Sequence, residues 1–320
     1  LKGRPKKKKL LSRMGAYHGS THMAMALTTP MYSQGWDTAA EGLVYHLRSP
    51  YQYREGEEGM SEAEFLEVLA KDMIDMIESV GADNIAGFFA EPIMGAGGVL
   101  VAPKGYHKRM REITAQHDIM YVADEVVTAW GRLGEMFASK DIYGMVPDII
   151  CTAKGITSGY QPLSATIISD EIYDVISSPN AMFSHGMTYS GHPAACAAGL
   201  ANIKILEDED IPGRVKTTGK IFENALRGLQ DLDIVGDVRG SHFMMGLEFV
   251  SNKNTKETFS DEQNIGLQLA KACQRRGLIA RPLGNILILS PTLIMDEPMI
   301  INIEGILRES IIETTKHLRA

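Results

Sequence analysis

The sequence feature that most constrains the fold is an alternation of short apolar runs with longer amphipathic segments. Apolar runs occupy Ile85 to Ala90, Ile119 to Asp124 and Asp148 to Ala153, and a helix is predicted from about Tyr106 to His117. Strands that alternate with helices pair in parallel, because each helix returns the chain to the same edge of the sheet. We therefore predict an α/β fold with a mostly parallel sheet flanked by helices.

A second, smaller domain is predicted from a change of pattern near residue 208. Before it, Ser61 and Glu64 form a capping box that opens a helix ending at Gly81, and another helix runs from about Ala194 to Glu207. After it we expect a surface helix at 212–229, strands at 234–238 and 243–249, a helix near 262–276, two strands flanking Gly284 and a final amphipathic helix. We predict a large domain over 1–207 and a smaller C-terminal α/β domain over 208–320.

Composition narrows the possible partners. The 320 residues carry a formal net charge of −8, which argues against a general polyanion-binding role. The basic cluster Lys2, Arg4 and Lys6 to Lys9 is compatible with a nucleic-acid patch, but it leads directly into the apolar Leu10 and Leu11. We favour a solvated loop before a strand, and we expect no nucleic-acid partner. No stretch reaches the roughly 18 apolar residues of a membrane span, so no membrane partner is expected.

The cysteines and histidines give no sign of a metal or a disulfide. The three cysteines lack paired or metal-type spacing, and the nine histidines show no zinc-binding spacing. These observations favour a reducing, cytoplasmic setting and no metal. A dehydrogenase is disfavoured because no G-x-G-x-x-G motif opens a helix after the first strand, and there is neither a P-loop nor a nucleophile elbow.

Charged side chains end three of the predicted strands. Glu91, Asp124 and Lys154 each follow an apolar run, and ligands of open parallel sheets bind beyond the carboxyl ends of the strands. Burial would lower the pKa of a lysine amine and make it a Schiff-base nucleophile. An exposed lysine at a strand–loop junction is the alternative, but Gly155 and Gly159 build a compact turn suited to a site. The carboxylate of Asp124 is suited to holding the protonated ring nitrogen of an aromatic aldehyde cofactor. The alternative is that Asp124 caps the N-terminus of a helix.

Four further residues are weaker candidates for the same site. Tyr17 is suited to stacking on a flat cofactor, although a lone aromatic is more often core. Val126 has the side-chain parity of Asp124 and could pack on a ring face or simply in the core. Thr188 lies in a segment rich in glycines and donors that suits a phosphate. Arg281 is suited to clamping a carboxylate, with a surface arginine as the alternative.

Five motifs together resemble those of a known family. They are Tyr17-His18-Gly19, Ala90-Glu91-Pro92, Ala123-Asp124-Glu125-Val126 with Gly131-Arg132, Thr152-Ala153-Lys154-Gly155, and Thr188-Tyr189-Ser190-Gly191-His192-Pro193. Their order resembles that of class III aminotransferases, which are pyridoxal-phosphate enzymes of fold type I, over nearly the whole chain. Thr128-Ala129-Trp130-Gly131 and His185-Gly186-Met187-Thr188 resemble the ω-amine or ω-amino acid:pyruvate branch.

The resemblance implies a role for each matching residue. Lys154 would hold pyridoxal 5′-phosphate as a Schiff base and move the substrate proton. Asp124 would hold the pyridinium, and Tyr17 and Val126 would pack on the two ring faces. The resemblance also places His18 and Glu91 at the cofactor, with Glu91 near its edge. Thr188 would reach the phosphate of a partner subunit's cofactor in a homodimer, and Arg281 would be the mobile arginine that pairs with a carboxylate.

Two departures from the family pattern affect these expectations. The family places an N-terminal segment and a glycine-serine phosphate loop before the position of Leu1, so we expect the large domain to be N-terminally incomplete. Ornithine- and γ-aminobutyrate-type members have an arginine in the strand corresponding to Ile286 to Leu289, which is apolar here. This disfavours those substrates and leaves Arg281 as the candidate clamp.

The function predicted from the sequence is transfer of an amino group from an amine or ω-amino acid to a keto acid such as pyruvate. Within the same fold, an aminomutase or a decarboxylase is the nearest alternative. A catalytically silent fragment is the alternative from another class, since the family's N-terminal segment has no counterpart in the sequence.

Overall fold

The computed structural model describes residues 2–36, 42–179 and 181–318, which group into two units. The first contains the described residues of Leu1–Gly97, Val101–Trp130 and Phe137–Asp208; the second contains Gly98–Leu100, Gly131–Met136 and those from Glu209 onward. The domain boundary between residues 207 and 208 stays a prediction. That prediction did not assign the two short segments Gly98–Leu100 and Gly131–Met136 to the smaller domain.

In the described residues before residue 170 there are eight strands, and the longer ones build the sheet of the first unit. They are β1 (Lys9–Arg13), β2 (Val44–Leu47), β3 (Ile85–Ala90), β4 (Ile93–Met94), β5 (Leu100–Val101), β6 (Met120–Asp124), β7 (Ile149–Thr152) and β8 (Ala165–Ile168). The helices of this part are α1 (His22–Leu27), α2 (Gln52–Glu55), α3 (Glu62–Val80), α4 (Tyr106–Gln116), α5 (Ala138–Asp141), α6 (Asp170–Ile176) and α7 (Pro193–Asp208).

The sheet of the first unit has the strand order β2-β1-β3-β6-β7-β8. The first five strands pair in parallel, whereas β8 runs antiparallel to β7. This mostly parallel sheet with flanking helices confirms the predicted fold class. The register aligns Ala90 with Ala123, and Asp124 with Cys151. Consequently β3, β6 and β7 end at the same edge.

The sequence of helix α3 determines where the helix begins and ends and which of its sides is buried. Ser61 caps it through the predicted capping box, which is confirmed, and the chain turns at Gly81 with φ of +85°. Most of its buried residues recur at intervals of three or four positions and join the core formed with α4 and the central strands. They include Phe65, Leu69, Met73, Ile77 and Val80. Full burial of such side chains contributes about 1.5–3 kcal/mol each.

The second unit has an antiparallel sheet and three long helices. Its strands are β9 (Val235–Ser241), β10 (Met244–Asn252), β11 (Glu257–Thr258), β12 (Arg281–Leu283) and β13 (Ile286–Leu289), and its helices are α8 (Ile211–Arg227), α9 (Ile265–Arg275) and α10 (Glu297–Leu318). The order is β11-β10-β13-β12, with β9 also paired to β10. The elements predicted here are confirmed to within a few residues at each end.

The basic cluster near the chain start is absorbed into the fold. Arg4 pairs with Asp118, and Lys2 pairs with Glu171. Lys7 Nζ donates to four backbone carbonyls, the shortest being Asp118 O at 2.7 Å. These partners support a loop before β1 over a nucleic-acid patch. None of the helices in the described part of the chain combines the length and the apolar character needed to cross a bilayer.

Candidate active site

Lys154 lies at the edge of the sheet where β6 and β7 end. It begins a short 3-10 turn, Lys154–Thr157, two residues after the last residue of β7. Its φ of +44° lies in the left-handed region, which costs a non-glycine residue about 1–3 kcal/mol. The expectation of a buried lysine is wrong, because the turn carries the residue out of the sheet and leaves it exposed.

The strained turn is held on one side by Trp130. A Cβ added to Gly155 would lie 2.9 Å from Trp130 Cβ, so only glycine allows this close approach. The indole Nε1 of Trp130 donates to Thr152 Oγ1 at 2.7 Å, which ties it to the end of β7. Gly155 was predicted to lie in a compact turn, and its close packing against Trp130 explains why the residue is a glycine.

Helix α7 holds the turn on the other side through Asn202. The Nδ2 of Asn202 donates to Gly155 O at 2.8 Å and to Ile156 O at 3.2 Å. Its Oδ1 accepts from Ser158 Oγ at 2.7 Å. One amide thus binds two carbonyl oxygens and a hydroxyl group of the turn, and it adds to the backbone hydrogen bond from Ser158 N to Gly155 O at 3.2 Å. Asn202 was not predicted to have a role, because no motif in the sequence points to it.

Asp124 ends β6, and its carboxylate is oriented by two groups. Val126 N donates to Oδ1 at 3.1 Å, and His18 Nδ1 lies 2.8 Å from Oδ2. The side chain is 12% exposed, so one region of the carboxylate remains open. Burial, together with the charge of Asp124, raises the pKa of Cys151 on β7 to about 11. The cysteine is therefore an unreactive neighbour.

A buried ion pair lies next to His18. Arg13 Nη2 donates to Glu91 Oε2 at 3.0 Å and to Glu91 O at 2.8 Å. Tyr17 N donates to Glu91 Oε1 at 3.1 Å. These contacts engage both carboxylate oxygens within the protein, and the predicted place of Glu91 at the cofactor stays a prediction. Arg13 was missed because a fully buried arginine at the end of an apolar strand has no sequence signal.

The Tyr17 ring is 38% exposed and meets Tyr32 edge-on at 5.4 Å between centroids. Its placement in the core, the alternative considered from sequence, is wrong. The backbone of the residue that follows is fixed, since His18 N donates to Thr28 Oγ1 at 2.9 Å. Val126 is half-buried and lies two residues after Asp124.

Glu125 shapes the loop that follows β6. Its carboxylate is fully buried and accepts from Thr128 Oγ1, Ala138 N, Ser139 N and Ser139 Oγ. Four donors compensate for the loss of water around the charge. The long loop is thereby folded back onto the strand end beside Asp124. This role of Glu125 was not predicted from the sequence.

The last two candidates are both exposed. Thr188 lies in the segment between Asn180 and α7, where no regular element is assigned. Arg281 is the first residue of β12 in the second unit. Within the described ranges, no three His, Cys, Asp or Glu side chains are grouped so as to hold a metal ion.

The residues of the first unit fit pyridoxal phosphate by their chemistry. Asp124 offers a partly exposed carboxylate that two donors orient without using all its acceptor positions. Lys154 offers an exposed amine after the neighbouring parallel strand, and Tyr17 offers an exposed ring. A carboxylate, an amine and an aromatic face are the groups that a cationic, flat aldehyde requires.

The sequence model of the family described as aminotransferase class-III matches residues 1–311. The chain is 40% identical over 297 residues to a protein of Oryza sativa subsp. indica called γ-aminobutyrate transaminase 1, mitochondrial. It is 41% identical over 316 residues to the putrescine–pyruvate aminotransferase of Pseudomonas aeruginosa. A solved (S)-enantioselective ω-transaminase from Thermomicrobium roseum superposes with a TM-score of 0.94 at 37% identity.

The chain is shorter than these relatives. The matches cover 92% of the chain and 57% of the rice protein, and 98% of the chain and 68% of the Pseudomonas protein. For the Thermomicrobium structure the match covers 98% of this chain and 69% of that one.

Proposed function

The chain belongs to the class III aminotransferase family, and we propose that it moves an amino group from an amine or ω-amino acid to a keto acid such as pyruvate. The observation that carries the proposal is the register of β6 and β7, which brings Asp124 to the sheet edge from which the Lys154 turn departs. Members of this family use pyridoxal phosphate.

The cofactor supplies an electron sink that stabilises negative charge at the substrate carbon after its proton leaves. In the proposed site, Lys154 Nζ supplies the covalent attachment and then accepts and returns that proton. Asp124 pairs with the protonated ring nitrogen and keeps it cationic. Tyr17 and Val126 pack on the two ring faces. The hydrogen bonds of Asn202 support this arrangement, because they hold the backbone from which Lys154 projects.

The donor is proposed to be an amine or an ω-amino acid. The names of the rice and Pseudomonas relatives include γ-aminobutyrate and putrescine, which are compounds of these two types. The sequence argument against γ-aminobutyrate, from the apolar β13, stays a prediction, and the rice relative counts against it. Arg281 is proposed to pair with a substrate carboxylate; its exposure supports this role.

A homodimer is proposed as the active form, with Thr188 contributing to the partner's cofactor phosphate. Several large apolar side chains near Thr188 are exposed in the single chain, and such patches mark interaction surfaces. They include Met182, Phe183, Met187 and Tyr189, which are 56–82% exposed. A cytoplasmic location is also proposed, although the name of the rice relative includes the word mitochondrial.

The test combines spectroscopy with product analysis. The protein is mixed with pyridoxal phosphate, reduced with borohydride and digested, and the modified lysine is found by mass spectrometry. We expect modification at Lys154 and its loss in Lys154→Ala, whereas the exposed Lys140→Ala serves as the matched control. Retention of the visible cofactor band in Lys154→Ala would contradict the assignment.

Product analysis separates the rival functions. Formation of alanine from added pyruvate and an amine donor supports the transaminase. Release of carbon dioxide, or rearrangement of the donor without alanine formation, would identify a decarboxylase or an aminomutase. Failure to take up the cofactor in stoichiometric amount would favour a silent protein.

A further inference from the structure

A buried chain of charged and polar groups connects Asp124 to Arg13 through two intermediate side chains. His18 Nδ1 lies 2.8 Å from Asp124 Oδ2, and His18 Nε2 lies 3.8 Å from Glu91 Oε2. The same Glu91 oxygen accepts from Arg13 Nη2 at 3.0 Å. The side chains of Arg13, His18 and Glu91 are 1%, 3% and 8% exposed. Water therefore contributes little to balancing their charges.

His18 faces a carboxylate on each side, so its protonation decides the charge of the whole group. With two protons the ring would be a cation between Asp124 and Glu91 and would cancel most of the charge on Asp124. With one proton on Nδ1 it would donate to Asp124 and present a bare lone pair towards Glu91. The two forms leave Asp124 with different charge available to a ligand.

The geometry favours the neutral form. Among the described residues His18 Nε2 has no hydrogen-bond partner, and 3.8 Å is too long for a charged N–H bonded to a carboxylate. A buried N–H donor without a partner is rare in folded proteins and costly, whereas a bare ring nitrogen needs no acceptor. The guanidinium of Arg13 already balances Glu91.

We propose that the Arg13–Glu91 ion pair keeps His18 neutral, with its one proton on Nδ1. In this form His18 orients the Asp124 carboxylate without cancelling its negative charge. His18 and Arg13 are then positioning residues for Asp124, because His18 acts on its carboxylate directly and Arg13 acts through Glu91 and His18. The consequence for the ring nitrogen rests on the proposed function, whereas the state of His18 does not.

Two titratable side chains near this chain, His46 and Cys151, are uncharged at neutral pH. Burial lowers the pKa of His46. The thiol of Cys151 stays protonated, since its pKa is raised to about 11. For Arg13 itself, burial opposes the charged form, but Tyr106 and Glu91 outweigh it and raise the pKa. The guanidinium of Arg13 therefore stays positively charged, at the end of this chain of groups that lies opposite Asp124.

The experiment reads the ring nitrogens of His18 directly. Protein labelled with ¹⁵N-histidine is prepared without pyridoxal phosphate, and long-range ¹H–¹⁵N spectra are recorded at neutral pH. The His18 signals are assigned by their loss in His18→Gln. We expect a protonated, pyrrole-type Nδ1 and a bare, pyridine-type Nε2 in the wild type. An imidazolium pattern, or a proton on Nε2 alone, would overturn the proposal without any further variant.

Arg13→Gln tests the ion pair, because glutamine keeps a donor for Glu91 but removes the charge. We expect the His18 Nε2 signal to move from the pyridine region to the imidazolium region as the unbalanced Glu91 attracts a second proton. Arg13→Gln/Glu91→Gln is the matched control, and it should restore the neutral pattern. An unchanged His18 in folded Arg13→Gln would overturn the role of the pair. Transaminase activity enters none of these readings, so failure of the proposed function is detected separately, by the alanine assay.

Discussion

Asp124 and Lys154, the two residues expected to do the chemistry, meet opposite surroundings. Asp124 is nearly buried and oriented from two sides, whereas Lys154 is exposed on a left-handed turn. Both positions were predictable, since a charged residue after an apolar run is a local pattern. Arg13 and Asn202 were not, because the contacts that explain them join residues 78 and 47 positions apart.

Asp124→Asn should leave the fold intact and slow alanine formation at least about a hundredfold, since an amide cannot keep the ring nitrogen cationic. The rate with saturating amine and pyruvate is the measurement. Asp141→Asn, at the exposed end of α5, is the matched control and should behave as wild type. A near-normal rate for Asp124→Asn would rule out the proposed partnership with the ring.

His107 should make the protein less stable in acid. Burial, assisted by Arg13, lowers the pKa of His107 to about 3, so the unfolded chain binds the proton more readily than the folded one. The free energy of unfolding should therefore fall as the pH is lowered from about 6.5 towards 3, by at most about 1.4 kcal/mol per pH unit for this group. His46 and His242, also with lowered pKa, act in the same direction.

The contribution of His107 is isolated by comparing variants. Urea unfolding of His107→Gln should show a smaller difference between neutral and mildly acidic pH than the wild type. His317→Gln, exposed near the end of α10, should keep the wild-type difference. Equal pH dependence in His107→Gln and wild type would show that folding does not lower the pKa of His107.

At the scale of elements, the turn at Lys154–Thr157 depends on α7 although the two are distant in sequence. The capping box of α3 and the strand ends were predictable because their determinants lie within a few residues. The partners of the turn were not, since an asparagine within an apolar helix carries no signal of what its amide meets. The antiparallel β8 was likewise outside the alternation on which the fold prediction was based.

Asn202→Ala should lower the free energy of unfolding by about 1–3 kcal/mol, because Ile156 O loses its side-chain donor and Gly155 O keeps only the donor Ser158 N. It should also weaken retention of pyridoxal phosphate, since the Lys154 backbone would relax from its left-handed conformation. Equilibrium unfolding and dialysis of the loaded protein measure the two effects. Lys204→Ala on the exposed face of α7 is the control. Unchanged retention in a destabilised Asn202→Ala would limit this residue to a structural role.

At the scale of the molecule, the first unit carries an apolar surface that the single chain leaves in water. Besides the segment around Thr188, helix α7 exposes Leu200 at 70%. The α/β class and the strands of the second unit followed from the periodicity of the sequence, whereas the antiparallel pairing of those strands was not predicted. The exposed apolar surface was not predicted, because an apolar helix is expected to lie in the core as long as its neighbours are unknown.

Leu200→Glu should shift the protein from dimer towards monomer, because a buried charge without a partner opposes association. Sedimentation velocity at several concentrations measures the change against the 35.1 kDa chain. Ile301→Glu places the same charge on the exposed face of α10 in the second unit and serves as the control. A wild type that sediments as a monomer would contradict the proposed assembly.

The contact between Trp130 and Gly155 gives the protein an optical reporter of its own. Of the two tryptophans, Trp36 is 70% exposed, whereas Trp130 is 6% exposed and packs directly on the turn that carries Lys154. A buried indole emits at a shorter wavelength than a solvent-exposed one, so the emission of Trp130 can be separated by wavelength from that of Trp36. A pyridoxal group attached at Lys154 would accept energy from Trp130, and the blue component would dim as the site fills.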